Sequence, residues 1–152
     1  MNEGAQRLRT LRTRLLGLAA MHSDRRVNDE LARVGARKWH YAVLATLEEF
    51  GPASQSRLSD RTRIYRSDLV AVLNELAERE QVDRAPDPAD KRRNLVRITG
   101  AGRRALRELD RVLAAVEEEV LAPLTAAQRA QLTDLLTILV DHHSDRSGHG
   151  AG

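Results

Sequence analysis

Residues Asp83–Gly102 read DRAPDPADKRRNLVRITGAG. Two runs able to form strands, Val82–Pro86 and Asn94–Ile98, flank Asp87-Pro88-Ala89-Asp90. Proline presets φ there and aspartate bonds its own backbone, so the chain is expected to turn back as a hairpin. Lys91, Arg92 and Arg93 follow at the tip. From Arg84 to Arg104 there are seven Lys/Arg against two Asp, a net +5 over 21 residues. Unpaired buried guanidiniums are prohibitively costly, so the hairpin must offer its charges to water or to an anion. Duplex DNA rewards a protruding cationic finger best, because its phosphates and narrow minor groove concentrate negative potential. A merely solvated basic loop is the alternative, and the residues upstream argue against it.

Ser54–Gln81 reads as two helices with a tight break between them. The first is short, with Ser54 as N-cap and Leu58 as its apolar anchor. The second runs from about Arg66 to Glu80, and Leu69, Val72, Leu73 and Leu76 recur on it at i, i+3, i+4 and i+7. Arg66, Val70 and Asn74, spaced by four, fall on the other side beside Ser67. A guanidinium, an amide, a hydroxyl and a small apolar group can hydrogen-bond base edges and phosphates or touch a thymine methyl. A generic solvated face is richer in Glu and Lys. Helix, turn, amphipathic helix and basic hairpin is the order of a winged helix-turn-helix.

RKWHYAVLATLEEFG at Arg37–Gly51, RSDLVAVLNELAERE at Arg66–Glu80 and DPADKRRNLVRITGAG at Asp87–Gly102 together resemble the MarR family of bacterial transcriptional regulators. The most specific element is the wing signature, here Asp90, Arg92, Ile98 and Thr99, with Gly102 three beyond. The resemblance covers Leu8 to Val140 in helix order and residues 37–106 closely. Three positions depart from the family pattern. Arg63 stands where a Gly usually makes the turn, Tyr65 where Asp or Ser usually caps the recognition helix, and Gln81 where Gly usually ends it. Each loses a permissive φ or a cap worth ~1 kcal/mol.

The expected architecture is mainly α with a small β-hairpin wing. A single domain covers residues 1–143, with the winged helix-turn-helix lobe at about 37–104, dimerisation helices at about 5–22 and 103–142, and a disordered tail at 144–152. A chain of 152 residues with 41% apolar content is one domain with an ordinary core. One Trp, two Tyr and one Phe leave Leu, Val and Ala to build that core. The chain has neither a run of about 18 apolar residues nor a signal-peptide pattern, so a cytoplasmic, nucleoid-associated protein with no membrane partner is expected. Residues 54–104 hold 12 Lys/Arg against 8 Asp/Glu, and residues 105–141 hold 3 against 7. A basic centre and an acidic helical tail suit a DNA-reading lobe joined to a segment with another task. With zero cysteines, thiol-based oxidant sensing is excluded.

That other task is expected to be homodimerisation. Leu8, Leu11, Leu15 and Leu18 form a helical stripe, and Leu106, Leu109, Leu113, Val116 and Val120 form a second. Pro123 breaks that helix, and Thr125 with Gln128 makes a capping box for a last one carrying Leu132, Leu135, Leu136 and Leu139. An intramolecular core would use some of these stripes, but a lobe of this size has little surface to cover three long flanking helices. Two-fold symmetry would also set two recognition helices one DNA turn (~34 Å) apart on a palindromic operator.

The expected partner is therefore a double-stranded DNA operator. Arg66, Ser67 and Asn74 are assigned to the major groove with Tyr65 at its edge, and Arg57 and Arg61 to phosphates. Arg92 is assigned to the minor groove, flanked by Lys91 and Arg93, with Asp90 orienting it through a charge-assisted hydrogen bond. The resemblance implies a small aromatic or phenolic acid effector in a cleft between the dimerisation helices and the DNA lobe. Arg14 and His22 are the candidates on the first helix, His22 facing inward on the leucine stripe, with Trp39 and His40 on the next. The other reading makes His22 and His40 core histidines, Trp39 a packing residue and Arg14 a surface charge. No cofactor or metal is expected: His142, His143 and His149 near Asp141 and Asp145 lack a ligand spacing, and Glu117-Glu118-Glu119 reads as a solvated face. The chain contains no Gly-rich phosphate loop, nucleophile elbow or HExxH, so an enzyme is disfavoured. A winged-helix protein-interaction module is the alternative function.

Overall fold

A computed structural model describes residues 3–148. In chain order the elements are α1 (Gln6–Arg9), α2 (Arg12–Arg33), α3 (Lys38–Phe50), α4 (Gln55–Thr62), α5 (Arg66–Glu78), β1 (Val82–Pro86), β2 (Asn94–Ile98), α6 (Gly100–Val120) and α7 (Ala126–Gly148). They form two compact units that divide between Val116 and Glu117. No described helix is long and apolar enough to cross a membrane.

The first unit is organised around the apolar stripe of α5. Leu69, Val72, Leu73 and Leu76 are buried against Val43, Leu44 and Leu47 of α3 and Leu58 of α4, with Leu31, Val82, Val96, Leu106 and Leu109 closing the cluster. Burying each such side chain contributes about 1.5–3 kcal/mol, so this cluster rather than helix propensity fixes α5 in place. Ser54 caps α4 by accepting from the Arg57 N–H at 3.2 Å. The helix then ends in Arg63 at φ 59, a left-handed residue where glycine would be free of Cβ strain.

The end of α5 differs from the sequence expectation by one position. Gln81 was expected at the site of the missing glycine, yet the left-handed residue is Glu80, at φ 59. The N–H groups of Glu80 and Gln81 bond the carbonyls of Ala77 and Leu76 at 3.0 and 2.9 Å, a Schellman closure in which the residue before Gln81 must turn. The same closure ends α2 at Gly35, φ 71, and seats Ala36 in the core.

β1 and β2 pair antiparallel from Val82↔Ile98 to Pro86↔Asn94. Ala53, just before α4, adds a two-bond bridge to Val96 at 3.1 and 2.8 Å, which pins the hairpin to the helical lobe.

The flanking helices depart further. The expected helix at 5–22 is broken between α1 and α2, and α2 then continues to Arg33. Its stripe does not face an intramolecular core: Leu8, Leu11, Leu15 and Leu18 are all exposed, and His22, which continues the stripe, is exposed with them. In the second unit, Thr125 and Gln128 form the expected capping box, with bonds of 3.2 and 2.9 Å. α7 leaves Leu135, Ile138, Leu139 and Val140 exposed. It runs to Gly148 rather than stopping before Ser144, because a polar helix end keeps its backbone ladder, here with Ser144 Oγ donating to the Val140 carbonyl at 2.7 Å. Among the described residues no cluster of His, Cys, Asp and Glu is placed to hold a metal, and His149 lies outside them.

Candidate nucleic-acid interface

Because the inner side of α5 is committed to the core, Arg66, Ser67, Val70 and Asn74 are exposed together on its outer face. Tyr65, at the N-cap, is 81% exposed and offers no side-chain cap. Asp68 in the first turn supplies the negative charge that the helix N-terminus favours instead. Arg66 Nη2 donates to Ser56 Oγ of α4 at 3.1 Å. Ser59 Oγ donates to the Ile64 carbonyl at 2.6 Å, so side chains of α4 hold the chain as it leaves the turn that carries Arg63.

The wing loop is built from two aspartates. Asp87 Oδ1 accepts from the Ala89 N–H at 2.9 Å, and Asp90 Oδ1 from the Arg92 N–H at 3.1 Å. These are consecutive Asx turns, the local geometry that favours Asp in turns. Asp90 Oδ1 also accepts from Arg92 Nε at 3.3 Å, and Arg93 Nε stands 3.9 Å from Asp90 Oδ2. With the Arg92 side chain 93% exposed, such pairs add little stability; what they fix is direction.

Arg57 and Arg61 are exposed on α4, and the Arg61 guanidinium lies over the Phe50 ring, 4.3 Å from its centroid. Arg57, Arg61 and the wing's Arg93 line one cleft of about 260 Å3 with Phe50 and Asp87. Helix-turn and wing cations that are about 30 residues apart in sequence thus share one surface.

Sequence reasoning missed Arg84. On β1 it stands opposite Val96 and on the same face as Val82, the side turned to α5, where Nη2 donates to Asn74 Oδ1 at 3.0 Å. Strand alternation carried that signal. Gln55 and Asn94, also unassigned, line the same cleft with Val70 and Asn74.

His40 is only 2% exposed. Its Nδ1 accepts from the Arg37 N–H at 3.0 Å, half of a capping box at the start of α3. The ring proton is therefore on Nε2, which donates to Glu75 Oε2 at 2.6 Å. Arg37 Nη2 reaches both oxygens of the same carboxylate, at 2.8 and 2.7 Å. Burial lowers the His40 pKa, against a smaller opposing pull from the Glu75 hydrogen bond. The Arg37 hydrogen bond, then that of His40, lowers the Glu75 pKa. His40 is thus a core histidine that ties α3 to α5, with both ring nitrogens spent, and not an open wall for a ligand.

Trp39 does face a cleft. Its ring lies under the Arg37 guanidinium, 5.6 Å away. The two line a cleft of about 480 Å3 with Asn28, Ala32, Ala36 and Lys38. Arg14 and His22 are exposed earlier on α2 and do not line it; at ~1.5 Å per residue, His22 is ~9 Å and Arg14 ~21 Å along the helix from Asn28.

The MarR family profile matches residues 36–93. The chain is 28% identical over 101 residues to the HTH-type transcriptional repressor NicR of Pseudomonas putida, a match covering 66% of this chain and 64% of that one. Another such relative is likewise spanned over only 63% of its length. An uncharacterized HTH-type transcriptional regulator of Mycobacterium bovis is 30% identical over 129 residues, covering 83% of this chain and 90% of its own. Among solved structures, the PcaV transcriptional regulator of Streptomyces coelicolor, in complex with its natural ligand, superposes with a TM-score of 0.76 at 29% identity, over 91% of this chain and 97% of its own. With the lobe, wing and recognition face described above, these matches establish that the chain belongs to the MarR family of winged helix-turn-helix transcriptional regulators.

Proposed function

We propose that this protein is a ligand-responsive repressor that binds a palindromic operator as a homodimer, in the cytoplasm and on the nucleoid. One observation carries the reading: the polar outer face of α5 and the cationic wing are both exposed on one lobe, as groove readout and phosphate neutralisation require. Arg66, Ser67 and Asn74 enter the major groove with Tyr65 at its edge, and Arg92, oriented by Asp90, enters the flanking minor groove. Arg57, Arg61, Lys91 and Arg93 hold phosphates. The exposed leucines of α2 and, separately, the exposed apolar residues of α7 favour a second copy as partner, because an apolar stripe along a helix is costly to leave in water.

Ligand response is supported by the Trp39 cleft. Trp39 supplies a flat wall for an aromatic acid, and Arg37 supplies the cation for its carboxylate. Arg37 also holds Glu75 of the recognition helix, so a carboxylate there draws on the group that anchors α5. A hundredfold loss of operator affinity needs ~2.7 kcal/mol of differential binding between the two states.

The test is selection of DNA by the pure protein from a random pool, with sedimentation to measure the assembly. Enrichment of an inverted repeat bound by two copies is expected. No enrichment would overturn the reading in favour of the winged-helix protein-interaction module.

A further inference from the structure

The outer face of α5 and the root of the wing enclose a cleft of about 320 Å3 lined by Gln55, Val70, Asn74, Arg84, Asn94 and Val96. Inside it Arg84 Nη2 donates to Asn74 Oδ1 at 3.0 Å. A guanidinium has no acceptor, so this bond decides which end of the amide is which. Oδ1 is turned to Arg84, and Nδ2 is the end left for a ligand.

The chemistry of base readout gives that orientation a consequence. Adenine is read in the major groove by an amide that accepts from N6 and donates to N7, whereas guanine offers two acceptors, N7 and O6. Adenine would set its N6 donor on the second lone pair of Asn74 Oδ1, beside the Arg84 guanidinium, so that two donors, one of them cationic, crowd a single acceptor. As held, Asn74 and Arg84 present mostly donors, the Nδ2 hydrogens and the remaining guanidinium N–H groups, which meet the two acceptors of guanine without that crowding. We propose that Arg84 is a specificity-determining residue of the operator interface, which by holding Asn74 Oδ1 turns an adenine-reading amide into a donor matched to guanine. Val70, one turn before Asn74 and exposed, supplies the apolar contact suited to a thymine methyl beside it.

The inference rests on the DNA-reading assignment proposed above, and the experiment separates the two. Wild type, Asn74→Ala and Arg84→Ala are each used, as full-length protein, to select sites from random DNA. Asn74→Ala identifies the position it reads by relaxing one base in each half-site, and wild type favours guanine there. Arg84→Ala frees Oδ1 and raises the adenine-to-guanine ratio at that same position at least about fivefold, the low end of what one bidentate pair discriminates. A position unchanged in Arg84→Ala, adenine already preferred by wild type, or uniform weakening by Asn74→Ala with no base relaxed would each overturn the inference while leaving a DNA-binding protein. Wild type that enriches no sequence would overturn the underlying assignment as well. Should Arg84→Ala fail to fold, Arg84→Met decides the matter, since it keeps the apolar stem but has no donor; an adenine-to-guanine ratio unchanged from wild type refutes the assignment.

Discussion

Gly102→Ala tests the joint on which the recognition helix depends. Gly102 lies in the first turn of α6 and is buried. A Cβ built there overlaps the Gln81 carbonyl oxygen and stands 2.7 Å from Ile98 Cγ1 and 3.1 Å from the Gln81 carbonyl carbon. The clash is with backbone, and that backbone is already engaged. Gln81 O accepts from the Thr99 N–H at 3.1 Å, Thr99 Oγ1 donates to the Glu80 carbonyl at 2.6 Å, and Thr99 Oγ1 in turn accepts from the Gly102 N–H at 3.0 Å. Relief therefore requires α6 to move off the end of α5, at the expense of at least one of these bonds. Overpacking costs about 1–3 kcal/mol and the lost hydrogen bond about 1 more, so roughly 2–4 kcal/mol is expected. For a chain of this size that lowers Tm by roughly 5–15 °C. Gly100→Ala is the control, since its Cβ meets only the Arg104 side chain, at an ordinary 3.5 Å. Thermal melts of the two variants, followed by circular dichroism, make the comparison. A Gly102→Ala melt that coincides with that of Gly100→Ala would refute the close-approach reasoning.

Arg92→Ala is expected to lower the slope of log affinity against log salt by about 1 and to weaken operator binding by roughly 1–3 kcal/mol, while Lys91→Ala lowers affinity evenly across sequences; unchanged binding by Arg92→Ala at physiological salt would remove it from the minor groove. The pKa of His40 is lowered from 6.5 by burial and that of Glu75 from 4.5 by Arg37, so in both cases the unfolded chain holds its proton to higher pH than the folded one. Tm should accordingly be flat above pH 6.5, fall between 6.5 and the lowered His40 value, and fall again below 4.5; His40→Gln, which can keep the α3 cap, should erase the upper decline alone, and a Tm that rises on acidification would contradict both shifts. Salicylate at millimolar concentration should quench Trp39, the sole tryptophan, and Arg37→Ala should abolish the quench where Arg14→Ala does not. The reverse outcome would return the ligand to Arg14 and His22.

What could be read from the chain was whatever a single period decides. The run Leu69, Val72, Leu73, Leu76 determines an inner face, and the outer face with Arg66, Val70 and Asn74 follows by subtraction. Both strands fall on the residues expected, because Pro and Asp punctuate the turn and leave it one register. The Ser54 cap and the Thr125–Gln128 box are likewise local devices, complete within three residues. The α2 stripe marks the limit of that logic. Periodicity shows that Leu8, Leu11, Leu15 and Leu18 share a face, but not what covers it, and within one chain that face stays exposed.

The partners of polar side chains were not legible, and here the reason is physical. Spacing gives the direction of a Cα–Cβ bond, while an arginine adds a stem long enough to reach several carboxylates or amides from one backbone position. Arg37 and Glu75 lie 38 residues apart, and Arg84 reaches Asn74 across the gap from a strand to a helix. Such pairings depend on how the core sets the elements, which is decided by the buried leucines and not by the charges themselves. His40 illustrates the consequence. From sequence it read either as a ligand wall or as a core residue, and only the distance to Glu75 Oε2, 2.6 Å, with the burial of the ring, chooses between them. The same selection acts on the recognition face. Asn74 was placed correctly on the outside of α5, yet the base it can read depends on which end of its amide is already taken. A neighbour on the hairpin engages that amide, and on the proposal above specificity is set by the helix and wing together, so that altering the wing's root should change what the helix reads.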